Sequence, residues 1–441
     1  MQFNLPEAVL TAIELLNNAG YEAFVVGGSV RNALLELPIY DYDMTTSATP
    51  KEMKVVFKDY KIIETGIKHG TLTIHINHLA LEITTYRIES DYADHRHPNS
   101  VSFSRNLKDD LERRDFTINA LAYHPNHGVI DYFNGIEDLN NHIIRAINDP
   151  MKRFDEDALR IMRALRFSST LNFAIDSQTA KAIHESKELL TMISKERIHD
   201  ELLKLLIGDN VYEILIEYPD ILEIIIPELA PMVNCHHENP HHIYDIYTHS
   251  AHAVSNTPND SLLRMAALLH DIGKPYVKAY DNFKIAHYQK HAEKSVELAG
   301  KILNRLKFSN KDIKTILTLI THHDEYMIPD RIQIKKCLAL IGKELTYQLL
   351  ELQIADNKAK SKLYDRQKEY HEVRITLDDI IQKEECFSIK MLAINGNDVL
   401  SLGVKPTMIT SILNTCLNEV IEEHIENTKE SLISYITHNL M

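Results

Sequence analysis

Apolar residues recur at helical spacing over residues 7–19, where Val9, Leu10, Ile13 and Leu16 share a face and Gly20 follows as a helix-closing residue. EAFVVGG (22–28) predicts a strand entering a Gly-Gly turn, SVRNALLEL (29–37) a helix, and PIYDYDM (38–44) the next strand. Thr49-Pro50 joins an N-cap residue to a proline at the first helical position, so a helix is predicted to start there. TLTIHI (71–76) alternates and LEITTYR (81–87) is rich in β-branched residues, which predicts two more strands. Residues 88–110 are polar without a sustained period and predict a mobile loop. After Pro150 nearly every segment has helical spacing, with few glycines and no strong strand pattern. The pattern predicts an α+β chain. A small mixed sheet with helices spans 1–145, a helical region 146–240, a second, histidine-rich helical region 241–365, and a helical tail 366–441.

With 441 residues, 44% of them hydrophobic, the chain can support several cores. No run of about 18 apolar residues suggests a membrane span. The N-terminal MQFNLPEAVLTAIELL carries acids where a secretory signal needs bases. Cys235, Cys337, Cys386 and Cys416 form no CxxC pair, which argues against a disulfide framework or thiolate zinc site and fits a reducing cytoplasm. A net charge of −15 argues against a protein that coats nucleic acid non-specifically, although not against a local basic groove. Residues 1–150 hold 13 basic against 21 acidic side chains, whereas 151–207 hold 10 against 9, so the basic charge is relatively concentrated after the sheet region. Of 24 histidines, many fall between 236 and 323.

Asp41 and Asp43 stand two apart in the predicted strand, which turns both carboxylates to one face. Two solvated acids on an edge strand are the bland explanation. The chemical one is a hard-oxygen Mg²⁺ site, since a divalent cation removes their repulsion and can serve phosphoryl transfer. Upstream, VVGGSVRN (25–32) places Gly27, Gly28 and Ser29 in a turn between strand and helix, where the backbone can approach a phosphate with Arg31 beside it. In RRDFTINALAY (113–123), two arginines and an aspartate before a predicted amphipathic helix suggest a triphosphate clamp.

EDALRIMRALRF (156–167) puts Asp157 and Arg160 three apart on a predicted helix face. A surface ion pair is one explanation. The other is base reading: cytosine and adenine both present an exocyclic amine beside a ring-nitrogen acceptor, matching an Asp acceptor and an Arg donor. Uracil and guanine reverse that pattern and would leave polar groups unpaired. Arg163 and Arg166 extend the basic face toward triphosphate or RNA.

The string GGSVRNALLELPIYDYDMTTSATP resembles the signature of the polymerase β-like nucleotidyltransferase superfamily, in its class II pattern shared by bacterial poly(A) polymerases and tRNA nucleotidyltransferases. Asn32 stands where the family usually has Asp. The resemblance continues through RRDFTINALAY, the hinge-like DYFNGIEDLNNHIIRAI (131–147), the EDxxR template with Glu156 in support, and SKERIHDELLKLL (194–206), over roughly residues 20–210. It implies Glu82 as a third catalytic carboxylate beside Asp41 and Asp43. It implies nucleotide contacts from Gly27, Gly28, Ser29, Arg31, Arg114, Asp115, Asn119, Asp157, Arg160, Arg163 and Arg166. The implied function is template-independent CCA addition to tRNA from CTP and ATP with Mg²⁺, in the cytoplasm, without DNA or membrane partners. The segment YRIESDYADHRHPNSVSF (86–103), including Arg96, resembles the complete flexible loop of enzymes that add A. ETGIKHGTLTIH (64–75) lacks the basic-Phe element of poly(A) polymerases. A-adding or poly(A)-adding activity is the alternative. Another is a tRNA-binding protein that acts mainly as a phosphohydrolase through its second half.

That second half contains LLRMAALLHDIGKP (262–275), which resembles the HD metal-phosphohydrolase superfamily. The resemblance implies His249, His270, Asp271 and Asp356 as ligands, an imidazole–carboxylate set suited to a transition metal or Mg²⁺. His287 and His291 are predicted to share a helical face, and His322 and His323 are candidates for a second ion. Hydrolysis of damaged tRNA ends and a purely structural role both remain open for this region. The tail (394–432) resembles a C-terminal tRNA-binding segment.

Overall fold

β1 (Ala23–Val26) and β8 (Leu121–His124) are wholly buried four-residue strands, and they lie side by side in the interior of a seven-stranded sheet. This computed structural model describes residues 3–92, 98–238 and 243–440, with side chains described outside 89–101. The remaining sheet strands are β2 (Asp43–Thr46), β3 (Lys61–Ile63), β4 (Thr71–Ile76), β5 (Leu79–Thr85) and β9 (Gly128–Asp131). Their order is β3-β4-β5-β2-β1-β8-β9. The β2–β5 pair is parallel and the other pairs are antiparallel, so the sheet is mixed as expected. β4 alternates buried and half-buried positions, the pattern of a strand covered on one face.

Helix Glu7–Asn18 ends as its sequence predicts, with Gly20 at φ 86°. Thr49 caps the helix Pro50–Val56 in a reciprocal box with Glu52. Phe24, Val26 and Tyr86 pack with Leu107 and Leu111, which seats the helix Leu107–Glu112 against the sheet.

Three local expectations are overturned. Residues 88–110 are not a plain loop: β6 (Arg87–Tyr92) and β7 (Pro98–Phe103) pair as an antiparallel ribbon before the helix Leu107–Glu112. Arg96 lies outside the described residues. RRDFTINALAY does not open a helix. After one 3₁₀ turn at Thr117–Asn119 its apolar end becomes β8, because pairing with both β1 and β9 satisfies a fully buried backbone. The second strand begins only at Asp43, leaving Asp41 before it.

The chain forms two compact units, Met1–Ile225 and Ile226–Met441. In the first, the helices Pro150–Glu156, Leu159–Leu171 and Lys195–Leu206 follow the sheet. The second is almost wholly helical. Helices Ile246–Asn256, Ser261–Leu269, His291–Arg305, Asn310–His322 and Lys343–Lys358 surround the histidines, while Ile409–Ile421 and Lys429–Asn439 enclose a separate core around Cys416 and Ile436.

Candidate functional site

Asp43 opens β2 and is the direct partner of Glu82 on parallel β5. Paired residues on neighbouring strands point to the same face, so the third predicted carboxylate stands beside the second. Asp41 precedes the strand, and its carbonyl accepts a 2.9 Å hydrogen bond from the Ser29 hydroxyl. Burial raises the Asp43 carboxyl above its ordinary value; the Asp41 charge adds to this and Arg114 opposes it. An all-oxygen set with mutual repulsion suits a hard divalent cation. Among the described residues, however, Asp41, Asp43 and Glu82 are not one of the groups whose ligand atoms all lie within 4.8 Å of one another.

Asp43 forms part of the wall of a cavity of about 390 Å³ that also exposes Gly27 and Gly28. Six arginines against three aspartates line it, a strong local excess of positive charge in a chain of net charge −15. Such a site suits a polyphosphate anion. Gly27 sits at φ 70°, and a Cβ there would lie 2.9 Å from Arg114 Nη1. Gly27 thus permits both the turn and the close approach of the guanidinium.

The arginines are held by one another's partners. Arg31 donates through Nη1 to Asn119 Oδ1 at 2.6 Å and through Nε and Nη2 to Asn32 Oδ1 at 3.1 and 2.8 Å. Asn32 Nδ2 in turn donates to the Pro38 carbonyl at 2.9 Å, a bond that a carboxylate in its place could not make. Burial and the neighbouring Arg166 lower Arg31 to about 10. Asp115 accepts from Phe116 N and Asn119 Nδ2 on one oxygen, at 2.8 and 3.0 Å, and from Arg163 on the other, at 2.8 and 2.6 Å. Burial alone would raise Asp115, but Arg163, Asn119 and Arg160 hold it well below the usual carboxylate range. Four bonds fill its acceptor positions. Arg166 meets Glu201 at 3.1 Å and stacks over the Phe167 ring at 4.0 Å.

Asp157 does not lie on a helix. It ends Pro150–Glu156 in extended conformation, and its carboxylate accepts from Leu159 N at 3.1 Å to start Leu159–Leu171. An aspartate competes with helical bonding in this way wherever a break is tolerated. Asp157 and Arg160 nonetheless line the same cavity. Arg160 donates to Glu156 Oε2 at 2.8 Å and to the carbonyls of Arg153 and Arg113 at 3.0 and 2.8 Å. These three bonds leave two of its five donors. Arg197 grips the Asp157 carboxylate from the helix Lys195–Leu206.

The cavity therefore gathers Gly27, Gly28, Arg31, Asp43, Arg114, Asp115, Asn119, Asp157, Arg160, Arg163 and Arg166, whereas Asp41, Ser29 and Glu82 do not line it. Asp110, Phe167, Arg197 and Glu201 were not singled out from sequence. Asp110 is buried beneath the clamp, accepting from Thr45 at 3.1 Å, from Arg113 at 2.9 and 2.8 Å and from Arg114 at 3.3 Å. Its i,i+3 and i,i+4 spacing to those arginines was a usable signal.

In the second unit, His249, His270, Asp271, His291, His323 and Asp356 meet in the interior, all at most 7% exposed. His249 Nε2 lies 2.9 Å from Asp356 Oδ1, and His270 Nε2 lies 3.2 Å from Asp271 Oδ2. Burial pulls His270 down, but Asp271 and Asp356 more than reverse this and raise it to about 10. Lys274 and Lys360 each approach one of these carboxylates at 2.7 Å. His287 and His322 do not join the cluster. His287 ends a two-residue strand and faces Asp281, so it shares no helical face with His291. His322 turns to Glu325.

Three families match. Residues 23–145 match the poly A polymerase head domain, 172–233 the probable RNA and SrmB-binding site of polymerase A, and 239–361 the HD domain. A CCA-adding enzyme of Lactobacillus helveticus is 52% identical over 209 residues, 47% of this chain and 52% of that one. One of Enterococcus faecalis is 52% identical over 198 residues, 45% and 48% of the two chains. The matched stretch thus spans about half the length of these curated relatives. The Bacillus stearothermophilus CCA-adding enzyme in complex with CTP superposes with TM-score 0.73 at 27% identity over 98% of this chain and 97% of that one. A Thermotoga maritima CCA-adding enzyme shares the fold at TM-score 0.60 and 19% identity, over 98% and 96% of the two chains. Matches to a poly A polymerase head domain, to the probable RNA-binding site of polymerase A and to an HD domain thus follow one another along this chain, which is similar to CCA-adding enzymes in sequence and in fold.

Proposed function

We propose that this protein adds C, C and A to the 3′ end of tRNA from CTP and ATP, without a nucleic-acid template, releasing pyrophosphate at each step. The observation that carries the proposal is the meeting of Asp157 and Arg160 with an arginine-rich wall and Asp43 in one cavity. The resemblance along nearly the whole chain to an enzyme crystallised with CTP supports the same reading.

Asp157 offers its remaining lone pairs to the exocyclic amine of cytosine or adenine, and Arg160 its remaining donors to the ring nitrogen. Glu156 and two backbone carbonyls fix the Arg160 fork, so little ordering remains to be done when the base arrives. Arg31, Arg114, Arg163 and Arg166 hold the triphosphate, and Gly27 and Gly28 let the backbone approach it. Ser29 orients the Asp41 segment, while Asp115 and Asn119 act by holding Arg163 and Arg31. Asp41, Asp43 and Glu82 would hold Mg²⁺, which supplies charge neutralisation at the phosphoryl oxygens. Addition of A alone, or of poly(A), would use the same residues.

In the HD domain, His249, His270, Asp271 and Asp356 would hold a transition metal. Among the described residues no helix is long and apolar enough to cross a membrane, and the four cysteines are free, which supports a cytoplasmic location with the tRNA. The tail would bind tRNA.

A thermal-shift comparison tests nucleotide and metal binding. Mg²⁺ with CTP at about 100 times its dissociation constant stabilises a protein by about 2.7 kcal/mol. The wild type should gain such a shift and an Asp41→Asn/Asp43→Asn double variant should not. Equal shifts would remove the carboxylates from the account.

A further inference from the structure

Five of the six arginines that line the cavity of the first unit are answered by a carboxylate. Asp110 meets Arg113 at 2.8 Å and Arg114 at 3.3 Å, Glu156 meets Arg160 at 2.8 Å, Asp115 meets Arg163 at 2.6 Å, and Glu201 meets Arg166 at 3.1 Å. Arg31 is the exception. Among the described residues it makes no ion pair, and it donates instead to two neutral amides, Asn32 and Asn119. We propose that Asn32 is a positioning residue that sets the affinity of this cavity for triphosphate: its amide fixes the Arg31 guanidinium without cancelling the charge, so that the phosphates of the nucleotide supply the counter-charge. The inference rests on the triphosphate reading given above and adds to it the residue that leaves this charge open.

The hydrogen bonds fix which way the amide faces. Asn32 lies half-buried on the short helix Gly28–Leu34. Its Oδ1 accepts from Arg31 Nε and Nη2 at 3.1 and 2.8 Å, and its Nδ2 donates to the Pro38 carbonyl at 2.9 Å. A flipped amide would set its NH₂ against the guanidinium and its oxygen against a carbonyl, and all three bonds would be lost. The Asn32 backbone carbonyl also accepts from Leu37 N at 2.8 Å. One residue thus ties Arg31 to the segment that leads into Asp41 and Asp43.

Asn119 completes the cradle by accepting from Arg31 Nη1 at 2.6 Å, while Asp115, the carboxylate behind it, is engaged by Arg163. Three of the five guanidinium N–H groups of Arg31 are used in this way, and one on each terminal nitrogen is left for phosphate oxygens. A Cβ at Gly28 would lie 3.6 Å from Nη2, so the fork sits against the Gly27–Gly28 turn. Burial lowers Arg31 to about 10; Arg166 and Arg163 add to this and Asp115 opposes them. An anion bound beside Arg31 relieves the cost of holding the charge there. A carboxylate at position 32 would relieve it before the nucleotide arrives and would repel the incoming phosphates. It would also turn a lone pair toward the Pro38 carbonyl.

The test is calorimetric titration of the full-length wild type, Asn32→Asp and Asn32→Ala with inorganic tripolyphosphate and with CTP in excess Mg²⁺, beside single-nucleotide addition. Asn32→Asp is isosteric with the wild type, and an unchanged far-ultraviolet circular dichroism is expected. Its dissociation constants for tripolyphosphate and CTP should both rise about tenfold. KM for CTP and ATP should rise by the same factor, with little change in kcat and an unchanged preference for CTP over UTP. Asn32→Ala keeps the open charge and loses only the support, so it should weaken tripolyphosphate binding less than Asn32→Asp does. Equal weakening by the two variants, or wild-type affinity in Asn32→Asp, would overturn the role of the neutral amide and leave the triphosphate cavity standing. Failure of the wild type to bind tripolyphosphate would overturn the triphosphate reading and this inference with it.

Discussion

Arg197 holds Asp157 through both carboxylate oxygens, Nη1 to Oδ1 at 3.1 Å and Nη2 to Oδ2 at 2.8 Å. The residue that would accept the amine of the incoming base is thereby aimed by a different helix. Charge-assisted hydrogen bonds of this kind contribute about 1.5–3 kcal/mol, or roughly ten- to a hundredfold in a rate ratio. In Arg197→Met the preference for CTP over UTP, measured as a ratio of kcat/KM in single-nucleotide addition, should fall by about that factor. An unchanged ratio would mean that Asp157 needs no external support.

Asp43 and Glu82 are register partners, yet their substitution should not be equivalent. Asp43→Ala removes a cavity-wall carboxylate, and nucleotide addition should become undetectable while the far-ultraviolet spectrum is retained. Glu82→Gln should lower kcat with little change in KM, because Glu82 does not line the cavity that holds the nucleotide. A larger effect on KM than on kcat would place Glu82 among the binding residues instead.

Gly27→Ala tests the phosphate turn. The residue sits at φ 70° and its new Cβ would press on Arg114 Nη1. Backbone strain of this kind costs about 1–3 kcal/mol. Thermal unfolding should show a loss of that size, together with a raised KM for CTP and ATP alike. A loss of stability with KM unaltered would separate the turn from the triphosphate.

Much of this was legible in the sequence for definable reasons. The alternation in TLTIHI and the Thr49-Pro50 cap are local signals, and local signals survive folding. The dipeptide contacts of GGSVRN and EDALR depended on short spacings and landed in one cavity. What failed depended on distant partners. The last residues of RRDFTINALAY became an interior strand because β1 and β9 flank them. Asp157 left its helix because Leu159 N and Arg197 both claim its carboxylate. Phe167, which meets the guanidinium carbons of Arg166, Arg31 and Arg163 at 4.0, 4.9 and 5.3 Å, is an ordinary apolar helix position until those chains are folded around it.

Glu52 provides a pH-dependent handle on the sheet unit. Its hydrogen bond from Arg105, followed by that from the Thr49 backbone, lowers the carboxyl from 4.5 to about 2. A depressed carboxyl stabilises the folded state above its unfolded value and loses that contribution as pH falls through the folded one. The stability difference between wild type and Glu52→Gln should therefore be full above pH 4.5 and shrink toward pH 2 in urea titrations. A difference that is constant over this range would assign it to the Thr49 cap alone.

Extension of labelled tRNA transcripts by the purified protein tests the central claim most directly. Three transcripts are needed, ending at the discriminator base, after CC and after CCA, each offered Mg²⁺ with CTP, ATP, both, or UTP and GTP. Growth of the first by three residues with CTP and ATP together, none on the third, and none with UTP and GTP is the expected result. Extension of the CC-ended transcript alone, by a single A, or unlimited A addition to all three, would contradict it.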